Sequence, residues 1–151
     1  MKKQTLSALD VANYFIQVSS QDDESDLTNL KLQKLLYFAQ GKYLAQFDKP
    51  LFEDNVEAWN YGPVVKTVYH QFKHCGPFPI TAFDTNSVVN LADDKEQFLN
   101  QIWKQYAKYS AEYLVDITHK KNGPWQKHYQ RGQNNVIPQN ELRQYFLTGA
   151  A

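Results

Sequence analysis

Residues 28–47, TNLKLQKLLYFAQGKYLAQF, followed by PLFEDNVEAW at 50–59 and YGPVVKTVYHQF at 61–72, decide how this chain folds. Leu32, Leu35, Leu36, Ala39 and Tyr43 recur at the three-and-four spacing of one helical face, while Lys31, Lys34, Gln40 and Lys42 fall largely elsewhere. The pattern predicts a helix from about Asn29 to Phe47, buried on one side and wet on the other. Thr28 stands at the N-cap, where its hydroxyl accepts from a first-turn amide. Gly41 costs about 1 kcal/mol against alanine inside a helix, so its presence marks a packing notch for a neighbouring backbone or ring.

Downstream, Val56 to Asn60 alternates as a short strand does, and Tyr61, Gly62 and Pro63 break the chain. Proline is preorganised for a first helical position, which predicts a helix starting at Pro63 with Val65, Val68, Tyr69 and Phe72 as its stripe and Gly76-Pro77 as its stop. Upstream, Ser7 and Asp10 have capping-box spacing, and Ala8, Ala12, Phe15 and Ile16 mark a helix ending near Ser20, followed by an acidic connector over 21–26. Between Pro77 and Ala92 the β-branched patches Ile80-Thr81 and Val88-Val89 suggest an extended segment paired with the earlier strand. Asp93 and Glu96 read as another capping box before the stripe Phe98, Leu99, Ile102, Tyr106 and Tyr109, with a break at Ser110. Tyr113, Leu114, Ile117 and Lys121 make a further helix, stopped by Asn122, Gly123 and Pro124. A brief segment around Trp125 and Tyr129, a Gly-Gln-Asn-Asn loop at 132–135 and a last helix from Pro138 to Phe146 complete the chain. The fold class expected is mainly α: residues 1–151 as one compact domain of five to six helices with at most a small β-hairpin.

Composition narrows the function. Sixteen basic residues balance sixteen acidic ones, so no global field draws the chain to nucleic acid or an anionic membrane. No apolar run reaches membrane-spanning length, and MKKQTLSALD lacks the apolar region of a secretory signal. Cys75 is the single cysteine, which excludes an intramolecular disulfide and points to a reducing cytoplasm. Ten tyrosines and nine phenylalanines favour a partner-binding domain, because amphipathic rings serve as interface anchors as well as core.

Chemistry-bearing constellations are sparse. His70 and His74 are four apart with Cys75 adjoining, but no CxxC or HExxH accompanies them, so they read as surface histidines near a helix C-terminus. Cys75 reads as a small hydrophobe. His119 could join Asp116 with Ser110 or Ser7 in a triad, yet no nucleophile-elbow glycines flank either serine. No phosphate-binding glycine motif occurs. Lys120, Lys121, Lys127 and Arg131 interleave with Trp125 and Tyr129, a mixture that can track phosphates and stack bases, without any helix-turn-helix or zinc-finger pattern beside it. No catalytic residue, metal or cofactor is expected from these patterns.

Three ordered blocks carry a family likeness: LKLQKLLYFAQGKYLA at 30–45, PLFEDNVEAWNYGPVV at 50–65, and THKKNGPW at 118–125. Together they resemble the Panacea domain, the SocA-like antitoxin family that also includes phage-associated GepA-like proteins. The third block has a longer loop, Lys120 to Gly123, than is usual between its Thr-His and Pro-Trp pairs. The resemblance implies a non-enzymatic antitoxin that binds a cognate protein toxin, with Trp59, Tyr61, Gly62, Pro63, Thr118, His119, Pro124 and Trp125 as signature or partner-binding candidates. Some family members instead deliver the toxin to a protease. Exposed rings among Trp59, Tyr61, Trp103, Trp125 and Tyr129 are the anchors to look for. Other readings are a DNA-binding autorepressor and a hydrolase using His119 with Asp116.

Overall fold

The computed structural model describes residues 6–22, 26–85 and 90–149. Among these residues seven helices form: α1 (Ala8–Ser19), α2 (Asn29–Phe47), α3 (Lys66–Phe72), α4 (Asp93–Tyr106), α5 (Ala111–Thr118), α6 (Pro124–His128) and α7 (Gln139–Leu147). Three short strands, β1 (Glu57–Trp59), β2 (Gly62–Val64) and β3 (Asn135–Val136), make an antiparallel sheet in the order β2-β1-β3. The architecture is mainly α, as expected, but with seven helices instead of five to six and a third strand added to the hairpin. The extra helix is α6, where Pro124 follows the N-cap Gly123 and starts a single short turn too brief to show periodicity. The extra strand falls at the end of the Gly-Gln-Asn-Asn loop. Its two residues are too few to display alternation, and only pairing with β1 extends them.

α2 is the axis of the fold, packed by α1, α3, α4, α5, α7 and β2. Its predicted limits and Thr28 cap hold, with the Thr28 hydroxyl accepting from the Lys31 amide at 3.2 Å. The wet face does not exist: Lys31, Gln33, Lys34 and Gln40 are all buried with Leu32, Leu35, Leu36, Tyr37 and Phe38. Tyr37 and Phe38 fill the faces left by the leucine stripe, and a helix apolar all round goes to the centre of its domain. Gly41 is the predicted notch. The Phe146 ring of α7 lies where its side chain would be, with Cε2 only 2.1 Å from an ideal Cβ position.

Buried polar groups on α2 must find partners, because leaving one unpaired costs about 1–3 kcal/mol. They find backbone. Gln40 accepts from the Leu51 amide at 2.8 Å and the Phe52 amide at 3.3 Å and donates to the Phe52 carbonyl at 2.7 Å. Gln33 accepts from the Val65 amide at 2.9 Å, and Lys34 donates to the Pro63 carbonyl at 3.0 Å. Lys31 reaches Asp26 at 2.7 Å and the Ala107 carbonyl at 2.6 Å. The central helix thus supplies to irregular chain and to the outer edge of β2 the hydrogen bonds a neighbouring strand would otherwise give.

Pro63 lies in β2 opposite Ala58, and the helix after it starts at Lys66 with Val65 as N-cap. The predicted helix start at Pro63 is displaced because Asn60 and Tyr61 form a two-residue hairpin turn that pairs Gly62 with Trp59. Proline is tolerated here because β2 is an edge strand, and its carbonyl points to Lys34, away from β1. Its missing N–H therefore forfeits no ladder bond. The Asp93–Glu96 capping box does not form either. Ala92 is the N-cap, and Asp93, Asp94 and Glu96 occupy the first turn, where negative charge opposes the positive end of the helix dipole. Ser110 caps α5 as the predicted break implies, but α5 ends at Thr118, short of Lys121. The Ser7–Asp10 capping box is present. Val88-Val89 lies outside the described residues. In the other patch the Ile80 amide donates to the Leu27 carbonyl at 2.8 Å, and the patch belongs to none of the strands described.

Candidate functional site

The first two sequence blocks supply α2 and the β1–β2 hairpin, and the third supplies the end of α5 and the start of α6. They converge on one point. At its centre, Gly62 has φ 112°, a conformation L side chains rarely adopt, and its Cα faces the end of Lys34: an added Cβ would lie 2.5 Å from Lys34 Cε and 3.0 Å from Thr118 Oγ1. Thr118 is buried and donates back to the Val115 carbonyl at 2.7 Å, while His119 ends α5. The His119 imidazole stacks flat on the Trp125 indole, with centroids 3.7 Å apart and planes within 2°, and Tyr129 covers the other face of Trp125 at 4.6 Å. Trp125 Nε1 donates to the Trp59 carbonyl at 2.7 Å, and the Tyr129 hydroxyl donates to Asn60 Oδ1 at 2.6 Å. The hairpin turn is clamped between α2 and this three-ring stack.

The electrostatics of the clamp are unusual. Lys34 is fully enclosed, with a backbone carbonyl as its hydrogen-bond partner and no carboxylate paired with it among the described residues, and burial lowers its pKa to about 7. His119 is pushed below the ordinary imidazole value by burial and by the Lys34 charge, against a smaller opposing pull from Asp116. Its Nε2 is buried without a hydrogen-bond partner among the described residues. Both groups are thus biased toward their neutral forms, the state a carboxylate-free interior favours.

This bias has a measurable consequence. Lys34 binds its proton near pH 7 in the folded chain and near pH 10.4 when unfolded, so between those values the unfolded state holds the extra proton and stability rises with pH. From pH 7.5 to 9.5 the gain is on the order of 2 kcal/mol for this one group. Above pH 10 the trend reverses, because buried Tyr37 and Tyr106 are pushed upward and stay protonated while their unfolded counterparts ionise. Urea titrations across this range should show the rise in the parent chain and its loss in Lys34→Met. An unchanged pH slope in the variant would exclude Lys34 as its source.

Of the eight residues singled out from the sequence, Gly62, Pro63, Thr118, Pro124 and Trp125 are buried, and Trp59 and His119 are half-buried. Tyr61 alone of the eight is exposed, at 67 %. Trp103 and Tyr129 are partly buried against the core, Trp103 stacking on Phe15. The triad is not assembled among the described residues: Ser7 caps α1, Ser110 caps α5, and His119 Nε2 has no hydrogen bond to a serine. Lys121 and Lys127 border a depression shared with Glu141, whose carboxylate pairs with His128. His70 lies beside Trp59 and Tyr69, away from His74 and Cys75, which face Asp84. Neither Lys34 nor Gln33 is singled out by the sequence reading, which places Lys34 on the wet face and gives Gln33 no role. The available signal was the apolar character of the helix on every side.

The family model described as Antitoxin SocA-like, Panacea domain, matches residues 32–126. The chain belongs to this family. The Panacea match begins within α2 and ends within α6, so it contains the clamp residues other than Tyr129 and leaves α1 and α7 outside. The chain is also 32% identical over 132 residues to the protein named Antitoxin SocA of Caulobacter vibrioides (strain NA1000 / CB15N), covering 81% of this chain and 70% of that one. No solved structure gives a significant match. Among the described residues, no helix of this Panacea protein is long and apolar enough to cross a membrane.

Proposed function

We propose that this Panacea protein is the antitoxin of a toxin–antitoxin pair and neutralises its cognate protein toxin by direct binding, without turnover, at the surface around the β1–β2 turn. The observation that carries this reading is Tyr61, a large ring 67 % exposed at the tip of a turn that the clamp holds rigid. Beside it runs a groove of about 390 Å³ lined by Leu30, Trp59, Tyr69 and Pro77 among others, and Phe78, next to Pro77, is 70 % exposed. An aromatic anchor carried on an already ordered turn loses little backbone entropy on binding, and such anchors carry most of the energy of protein interfaces. The relative named Antitoxin SocA supports the same reading.

The test uses the protein encoded beside this chain as the toxin. Co-expression of the parent chain should restore growth, and Tyr61→Asp should weaken binding by at least about tenfold with an unchanged melting temperature. Undiminished binding by both Tyr61→Asp and Leu30→Asp would place the interface elsewhere. Toxin half-life read in the same cells separates the mechanisms: direct neutralisation leaves it unchanged, whereas delivery to a protease shortens it.

A further inference from the structure

Outside the clamp, three side chains of metal-ligating type converge at the end of α3. A 3₁₀ turn, Lys73–Cys75, continues that helix and presents His74 and Cys75, and a second, Ala82–Asp84, brings Asp84 to meet them. His74 Nε2 lies 3.6 Å from Cys75 Sγ and 3.5 Å from Asp84 Oδ1, and the ligand atoms of all three residues lie within 4.8 Å of one another.

These separations match a metal polyhedron. Zinc bonds of about 2.3 Å to sulfur, about 2.0–2.1 Å to imidazole nitrogen and about 2.0–2.2 Å to carboxylate oxygen, at tetrahedral angles, place neighbouring ligand atoms about 3.3–3.6 Å apart. The two separations from His74 therefore need almost no adjustment. Asp84 is also oriented for the task. Its Oδ2 accepts from the Thr81 amide at 2.8 Å and the Thr81 hydroxyl at 3.2 Å, leaving Oδ1 toward His74. Ligands held in this way by outer hydrogen bonds are the ordinary condition of metal sites. His74 is largely exposed, which gives an ion a path in.

We propose that Cys75, His74 and Asp84 form a binding site for a borderline divalent cation of the zinc class, with a fourth position open to water. The mixed sulfur, nitrogen and oxygen donors suit zinc and disfavour magnesium or calcium, which take oxygen donors. Binding replaces the Cys75 S–H bond with a sulfur–metal bond and releases that proton to solvent, with no change of oxidation state. The ion would join the two 3₁₀ turns across the loop carrying Pro77 and Phe78. The site stands independently of the antitoxin reading, since its readout is metal binding alone.

Cobalt(II) is the probe for the reduced chain. One equivalent should bind per chain and give a thiolate-to-cobalt charge-transfer band, which zinc abolishes by displacement. Zinc should likewise protect Cys75 of the parent chain from a disulfide reagent. Cys75→Ser should remove the band. His74→Gln and Asp84→Asn should weaken binding by at least about tenfold, since losing even an outer partner of a ligand costs about 10–100-fold, and His70→Gln should bind as the parent does. The site is overturned by absence of the band together with absence of thiol protection, by a band that persists in Cys75→Ser, by one metal per two chains, or by His70→Gln losing as much affinity as His74→Gln. Should a variant fail to fold, thiol protection in the parent chain decides alone.

Discussion

Trp125→Ala should lower the unfolding free energy by about 3–5 kcal/mol, the range for deleting a large buried ring. The indole is the middle layer of the His119–Trp125–Tyr129 stack and the donor that ties the ring stack to the Trp59 carbonyl. Its loss opens a cavity between α6 and β1 and strips the covering from His119. Trp125→Phe should keep most of the packing and lose the indole donor, at about 1–2 kcal/mol. Denaturant titration of the two variants separates ring packing from the hydrogen bond. Equal losses in both would assign the whole effect to the Nε1 donor, and a loss under about 1 kcal/mol in Trp125→Ala would remove the stack from the core of the fold.

Gly62→Ala should be as damaging although it adds a single methyl group. At φ 112° the backbone is one that only glycine adopts without strain, and holding another residue there costs about 1–3 kcal/mol. The added carbon would also press into Lys34 Cε at 2.5 Å, and overpacking of a closed core costs a further 1–3 kcal/mol or so. Lys34 cannot swing into solvent because it is enclosed on every side. The two contributions can be divided by a double-mutant cycle: Lys34→Ala removes the obstructing atom, so the combined variant should be less unstable than the sum of the single changes. Strict additivity would leave backbone strain as the only cause. A melting temperature for Gly62→Ala equal to that of the parent chain would contradict both.

The residues singled out from the sequence thus divide into two physical parts. Gly62, Pro63, Thr118, Pro124 and Trp125 are buried and build the clamp, whereas Tyr61 projects from it. Destabilising the clamp and removing the anchor should have different signatures, a fall in unfolding free energy in one case and a loss of partner affinity at constant stability in the other.

Much of the scaffold was legible along the chain because its causes are local. The limits of α2, the Thr28 and Ser110 caps, the Ser7–Asp10 box and the first strand follow from hydroxyl-to-amide bonds within a turn and from apolar spacing. Gly41 was readable as a notch, since glycine inside a helix needs a compensating close contact. Pro63 was misread because the same residue suits a helix start and an edge strand, and the choice depends on whether a partner strand and Lys34 are present. β3 exists only as a partner of β1, and α6 is too short for periodicity to reveal.

The sequence by itself determined a helical scaffold, its principal caps, and, through three ordered blocks, membership of the Panacea family. Only the tertiary structure decided that Lys31, Gln33, Lys34 and Gln40 lie inside, that residues 62 and 118–125 share one clamp, and that His74 and Cys75 meet Asp84 instead of His70. The physical reason is that a polar side chain is read as solvated until its partner is brought within hydrogen-bond reach, and for Gln33 and Lys34 that partner is backbone 32 and 29 residues away along the chain.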